Sequence, residues 1–473
     1  MIQAMMARLV RGKIPSAGWR MMAVRHVVGR LVSPDREVRR GWLRIEQGRI
    51  AGVGEGTPTG MDRQTTLDVG EDYVLPGFWD IHSHGAGGRD VCDGLPDSLE
   101  HIARHKRAEG VTTWLPTTTS IPWELLLETL RRGCGGADFP CRTPGFHVEG
   151  PFLNPSMAGA QNPAHLLSPD QKLSKELLAA GQIAILSLAP ELDGALDLIR
   201  HATRHGVVCS GAHTDATCPQ LRSAVSAGLK HLTHFGNAMR GLHHRDIGAL
   251  GAGLLLDSLC LELICDGHHL SDDMLALLFR MVPIERLMLI TDSVSASWLG
   301  DEPAKLGGLD VEVASGRALL RGTDILAGST LRYDEGFRRA LRISGLPPEQ
   351  LVKATSWNQA RSLGIHGFGK LEPGFTADLV WMDPDWNLSG TLLAGQFHSN
   401  PEASPVPEHP HEGGTTKPGC IDDGGSAATA ICGRDYPSLS PPASRTIESD
   451  PAMARSNFFR LRPSKTNRSR DIQ

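Results

Sequence analysis

Leu75-Pro76-Gly77-Phe78-Trp79-Asp80-Ile81-His82-Ser83-His84-Gly85 runs from apolar residues into a polar tip. On an extended strand alternate side chains share a face, so His82 and His84 point the same way. Two imidazoles at one strand end make half of a transition-metal site. Taken alone, the pair reads equally well as surface histidines before a glycine turn. The rest of the chain decides, because several other apolar runs also end in metal-capable side chains.

With 473 residues, 40% of them hydrophobic, the chain can bury one large barrel plus a satellite domain. A formal net charge of -5 argues against a general binder of nucleic acid or membrane surfaces. No apolar run is long enough to span a bilayer. Nine cysteines lie scattered without a Cys-x-x-Cys pair, which fits reduced thiols in a cytoplasmic protein. Residues 1–21 are rich in Met and Arg, and the first acidic residue is Asp35. They read as an extension ahead of the folded chain; an organelle-targeting peptide is the alternative.

Short β-like runs open the chain: residues 24–32, a turn at Ser33-Pro34-Asp35, residues 42–45, a turn at Gln47-Gly48, and residues 49–53. A similar signature returns at residues 369–374 and 377–382. The expectation is a small β-sandwich domain built from both chain ends, residues 22–74 and 365–396. Nothing strand-like is evident after Gly395, which would leave that domain incompletely closed. Between these parts, apolar runs at 74–82, 111–117, 144–149, 183–190, 206–213, 231–234, 261–266 and 287–292 alternate with helical stretches. The helical stretches are 99–109, 124–132, 191–205, 219–227, 272–281 and 348–362. Eight strands alternating with helices imply an α/β fold, a parallel (β/α)8 TIM-like barrel over residues 75–364. Residues 300–329 read as a hairpin insertion turning at Ala314-Ser315-Gly316-Arg317. From residue 397 to 473, Pro, Ser, Gly, His and charge mix without period, which reads as a disordered tail.

The C-terminal ends of barrel strands form one ring, so residues distant in sequence meet there. The first run ends in His82 and His84, the third in Glu149, the fifth in His213, the sixth in His234 and the eighth in Asp292. Each by itself reads as a hydrogen-bonded strand end; their joint placement is the signal. Nitrogen and oxygen donors without thiolates suit zinc, with iron(II), manganese or cobalt as substitutes. Glu149 is placed to bridge two ions, one held by His82 and His84, the other by His213 and His234. Asp292 is then the general base and acid. That combination is metal-assisted hydrolysis of a C–N bond.

These motifs resemble the amidohydrolase superfamily and, within it, the N-acetylglucosamine-6-phosphate deacetylases. Matching segments lie at 76–88, 147–153, 159–160, 189–191, 211–217, 233–239, 245–248, 266–269, 291–292 and 326–329. Glu-Gly-Pro-Phe at 149–152 and Thr-His-x-x-Asn-Ala-Met at 233–239 are specific to that branch. The resemblance implies deacetylation of N-acetylglucosamine 6-phosphate, one or two zinc ions per subunit and a homodimer. It also implies that Asn237 and Ala238 contact the sugar. Arg245 and His269 would bind the phosphate, the arginine across the dimer interface. The turn beginning at Leu326 would cover the acetyl end, and Ala160 and Gln161 would line the substrate.

Where the family reads Lys-Gly-x-His after Glu149, this chain reads Met157-Ala158-Gly159-Ala160-Gln161. Gln161 can bond a sugar hydroxyl but carries no charge and is a poor zinc ligand. N-acetylgalactosamine 6-phosphate or another N-acyl compound is therefore the alternative substrate. Dihydroorotase-like enzymes fit less well: they bridge metals with a lysine on the fourth strand, and residues 183–190 hold none. A catalytically inactive barrel subunit fits least, because every expected metal ligand is present.

Overall fold

A computed structural model describes residues 22–58, 60–95, 97–135 and 139–397. All of them belong to the first of the two units into which the chain divides, Met1–Val406. The expectations for residues 1–21 and 398–473 lie outside the described residues.

Eight parallel strands form the main sheet, each hydrogen-bonded to the next in sequence. They are β1 (Phe78–Ser83), β2 (Val111–Thr118), β3 (Phe146–Glu149), β4 (Ile183–Leu188), β5 (Val208–Gly211), β6 (Leu229–Leu232), β7 (Cys260–Ile264) and β8 (Leu287–Ile290). A helix follows each strand, covering its outer face: α1 (Ser98–Ala108), α2 (Trp123–Arg132), α3 (Gln171–Ala180), α4 (Ala195–Arg204), α5 (Cys218–Ala227), α6 (Gly248–Leu255), α7 (Asp272–Met281) and α8 (Tyr333–Ser344). No ladder joins β8 to β1. The Asp292 N–H donates to the His82 carbonyl at 2.9 Å, and the buried Asp80 carboxylate accepts the Thr291 N–H at 3.2 Å and its hydroxyl at 2.6 Å. These bonds bring His82 and Asp292, the first and last candidate site residues, into contact across the seam.

Local sequence explains most helix starts. Asp170 and Ser271 cap α3 and α7 by accepting backbone N–H groups, and Thr217 with Gln220 forms a capping box on α5. Helices α3, α6 and α8 fall where the apolar pattern gave no helical reading. For α6 the cause is its composition, Gly-Ala-Leu-Gly-Ala-Gly-Leu-Leu, glycines being poor helix formers. Close packing requires one of them: a Cβ on Gly253 would lie 2.3 Å from the Phe235 ring. The stretch 348–362, read as one helix, is broken into Pro348–Leu351, a 3-10 turn at Val352–Thr355, and Trp357–Ser362. Asn358 docks the last piece under β8 by donating to the carbonyls of Ile284 and Leu287.

The chain ends build one continuous eight-stranded sheet with its own core, in which Leu43, Ile50, Leu379 and Leu392 are buried. Its strand order runs Met22–Ala23, Gln396–Phe397, Leu388–Leu393, Leu379–Met382, Thr66–Pro76, His26–Ser33, Arg36–Glu46, Arg49–Glu55. Gln396–Phe397 supplies the segment that was not evident after Gly395, and Phe397, read as the start of the tail, pairs with Met22. The run 74–82 is likewise two strands. Val74, Leu75 and Pro76 belong to the small sheet, and the barrel begins at Phe78. Gly77 turns the chain between them, where a Cβ would collide with the Thr112 side chain at 2.3 Å. The hairpin after β8 turns at Ser315-Gly316, both at positive φ, as the sequence implied.

Candidate metal centre

Four imidazoles and two carboxylates meet at the barrel mouth, all buried. Glu149, at the end of β3, is shared. Its Oε1 lies 3.2 Å from His213 Nε2 and 3.0 Å from His234 Nε2. Its Oε2 lies 3.3 Å from His84 Nε2 and 3.7 Å from His82 Nε2. Asp292 Oδ1 completes the first pair's surroundings, 3.3 Å from His82 Nε2 and 3.1 Å from His84 Nε2. Within each pair the two Nε2 atoms are 3.2 Å apart. His213, His234 and Asp292 each sit two residues beyond their strands, with left-handed φ of 42°, 33° and 51°. Such backbone costs about 1–3 kcal/mol per residue and persists only where the surroundings over-determine it. It swings the side chains inward over the mouth.

The donor set fits a divalent cation. His84 Nδ1 faces the Thr117 carbonyl at 3.1 Å, and His213 Nδ1 faces the Met157 carbonyl at 2.8 Å. A carbonyl only accepts, so both rings carry hydrogen on Nδ1 and turn bare Nε2 lone pairs toward the carboxylates. Lone pairs at this separation repel unless a cation lies among them. Without a metal, protons take that part. Burial opposes charge on His84, but Asp292 and Glu149 outweigh it and lift its pKa to about 9. Burial also opposes charge on His82, and Glu149 and Asp292 still raise it well above the usual value. Burial works against both carboxylates too, yet His82 above all holds Glu149 and Asp292 well below the ordinary carboxylate range. Two overlapping triads, His82–His84–Glu149 and Glu149–His213–His234, have the composition of divalent-metal sites.

A cavity of about 400 Å³ opens over this centre. Ala160, Gln161, Asn237, Ala238, His269 and Leu326, the residues that the resemblance assigns to the substrate, all line it. Gln161 does something the sequence did not reveal. Its Oε1 accepts the Ser120 N–H at 2.7 Å, which fixes the amide so that Nε2 donates to Glu149 Oε2, also at 2.7 Å. The side chain is buried and clamps Glu149. Of the His268–His269 pair, His269 faces the cavity and His268 is exposed. His269 Nδ1 is 2.7 Å from Asp266 Oδ2; burial works against its charge, but Asp266 raises its pKa above the usual value.

Arg245 is not brought into this cavity. It is exposed in the loop before α6, with its guanidinium against His244. Asp324 and Ile325, beside Leu326, line the mouth and were not anticipated. Nor was Glu262, fully buried on β7 beneath His82. A glutamate inside the apolar run Cys-Leu-Glu-Leu-Ile was its available signal. His147 has both ring nitrogens engaged, with the Ile81 carbonyl and the Ser187 hydroxyl, each at 2.7 Å. Burial pushes its pKa down to about 3, so it is a neutral structural histidine.

The sequence matches the amidohydrolase family over residues 73–406. An N-acetylgalactosamine-6-phosphate deacetylase of Escherichia coli O157:H7 is 35% identical over 370 residues, 76% of this chain and 96% of the relative. An N-acetylglucosamine-6-phosphate deacetylase of Bacillus subtilis is 33% identical, covering 78% of this chain and 95% of the relative. Among solved structures, a mutant N-acetyl-D-glucosamine-6-phosphate deacetylase of Mycobacterium smegmatis, in complex with N-acetyl-D-glucosamine-6-phosphate, is similar at a TM-score of 0.75. That match has 32% identity and covers 80% of this chain and 99% of the other. With this ligand set at the mouth of this barrel, the chain belongs to the amidohydrolase family, on the branch that holds the N-acetylglucosamine-6-phosphate and N-acetylgalactosamine-6-phosphate deacetylases.

Proposed function

We propose that the protein hydrolyses the acetamide of N-acetylglucosamine 6-phosphate to glucosamine 6-phosphate and acetate. The observation that carries this reading is the Glu149 carboxylate, divided between two histidine pairs with Asp292 against one of them. His82, His84, Glu149, His213 and His234 would hold the metal. The donor set favours zinc, and the two half-sites favour two ions. A divalent ion held by these residues would bring the pKa of water to about 7 and polarise the acetyl carbonyl. Asp292, ionised in its surroundings, takes the proton from the water whose oxygen attacks the acetyl carbon. It returns that proton to the sugar nitrogen as the C–N bond breaks, releasing amine and acetate.

Asn237, Ala238 and His269 line the cavity on the β6 and β7 side, and the cationic tendency of His269 suits a phosphate. Arg245 joins that role in a homodimer, where an exposed loop residue can reach a neighbouring cavity. The free thiols among the described residues support a reducing, cytoplasmic setting. N-acetylgalactosamine 6-phosphate is the second substrate reading, favoured by the Escherichia coli relative at 35% identity. Acetate release by the zinc-supplemented protein from both sugar phosphates and from N-acetylglucosamine tests all of this. Preference for a phosphate ester supports the reading, and the faster epimer names the substrate. Turnover of none, with metal bound, overturns it. Asp292→Asn should retain metal and lose about 10²–10⁴-fold in kcat; wild-type turnover would remove Asp292 as the proton carrier.

A further inference from the structure

We infer that Glu262 is a positioning residue for the metal centre, holding the His82 ring in the orientation that presents Nε2 to the ion. The inference rests on the metal-site reading above. A ligand imidazole is oriented by the hydrogen bond its other nitrogen makes, which sets both the tautomer and the tilt of the ring; His234 Nδ1 is buried without such a partner among the described residues. His84 and His213 use backbone carbonyls for this, those of Thr117 and Met157. His82 has no such carbonyl. Its Nδ1 is buried without a hydrogen-bond partner among the described residues, and so is Glu262 Oε2. The two orphan atoms face one another at 3.6 Å. A movement of about 0.7 Å would bring them to ordinary hydrogen-bond distance.

Neighbouring groups leave Glu262 no other task on that side. Its Oε1 accepts from His231 Nδ1 at 2.9 Å, and His231 Nε2 meets the Ser362 hydroxyl in the segment that closes the base of the barrel. His147, the remaining imidazole nearby, has both nitrogens satisfied elsewhere. A fully buried carboxylate with one oxygen unpaired is costly, and the unpaired nitrogen that faces this oxygen is His82 Nδ1. Ser362, His231, Glu262 and His82 thus form a chain from the barrel base to the metal mouth.

Zinc binding to the full-length metal-free protein, measured by competition with a chromophoric chelator, tests this without recourse to turnover. Glu262→Leu removes the acceptor and should weaken at least one bound ion about 10–100-fold. Glu262→Gln guards against a folding failure. Its amide can donate to His231, which accepts by exchanging tautomer with Ser362, while its carbonyl serves His82; its affinity should fall less than that of Glu262→Leu. In a His82→Ala background Glu262→Leu should change zinc affinity no further, because Glu262 acts through His82. Wild-type affinity in the Glu262 variants, or an undiminished effect of Glu262→Leu without His82, overturns the inference. A wild-type protein that binds no zinc would instead overturn the metal-site reading itself.

Discussion

Replacing Lys106 by Met should cost the fold about 3–5 kcal/mol although Lys106 touches no substrate-facing group. The Lys106 ammonium is fully buried between two fully buried carboxylates, 3.1 Å from Asp80 Oδ2 and 3.1 Å from Glu109 Oε2, and 3.2 Å from Thr291 Oγ1. Removing it leaves both acids without a cation, the case in which breaking a buried pair is most expensive. The remaining donors place the cost toward the lower end. Trp298 Nε1–H and the Tyr333 N–H still reach Glu109 at 2.7 and 3.1 Å, and Thr291 still reaches Asp80. For a folded region of this size the apparent melting temperature should fall by roughly 4–6 °C. The loss should depend on pH with a definite sign. Burial already raises the Glu109 pKa, with Lys106 offsetting part of the rise. Without Lys106 it climbs further above its unfolded value. The deficit is then smallest near pH 5, where protonated Glu109 is tolerated, and grows toward pH 8. Thermal melts of both proteins across that range measure it. Adding Glu109→Gln should recover part of the loss, because one of the two stranded charges is gone. Stability within about 1 kcal/mol of wild type at every pH would refute the charge argument and leave Lys106 as packing alone.

Gln161→Leu removes the donor to Glu149 Oε2 and strands the Ser120 N–H. A charged hydrogen bond of about 1.5–3 kcal/mol corresponds to a loss of roughly 10–100-fold in kcat/KM on the preferred sugar phosphate. Wild-type kinetics would show that Gln161 only lines the cavity. Arg245→Ala should raise KM for a phosphorylated amino sugar far more than for its unphosphorylated analogue, and equal effects on both would remove Arg245 from phosphate recognition. Gly77→Ala puts a methyl group 2.3 Å from the stiff, β-branched Thr112 side chain. Overpacking of this kind costs about 1–3 kcal/mol, so thermal melting should fall, and an unchanged melt would show that the junction between sheet and barrel yields freely.

Element type was legible wherever one local pattern governed it. Strands β2 to β8 announce themselves as short apolar runs, four of them followed by a legible helical stretch, and the hairpin turn at Ser315-Gly316 follows from residues that tolerate positive φ. Reading failed where the deciding partner lay far along the chain. Gln161 gains its role from Ser120, 41 residues earlier, and Gly77 separates two strands because of Thr112, which no periodicity announces. Helix α6 is held by a close approach to Phe235 that its glycines permit, yet the same glycines argue locally against a helix.

The site shows the same conflict at its sharpest. His213, His234 and Asp292 were expected as the last residues of extended strands, and each instead leaves its strand with a positive φ that side-chain-bearing residues avoid. No glycine or turn motif at these positions signals the departure. What holds them is assembled from elsewhere: the Met157 carbonyl on His213, Glu149 on His234, and the His82 carbonyl on the Asp292 N–H. Local preference and global fold agree along most of this barrel and disagree at three of its six converging ligand and proton-transfer candidates. Seven other side-chain-bearing residues also take positive φ, Asp35, Gln47 and Ser315 at turns among them, but His213, His234 and Asp292 combine it with burial and converging charged groups, where such backbone is kept because the surroundings over-determine it.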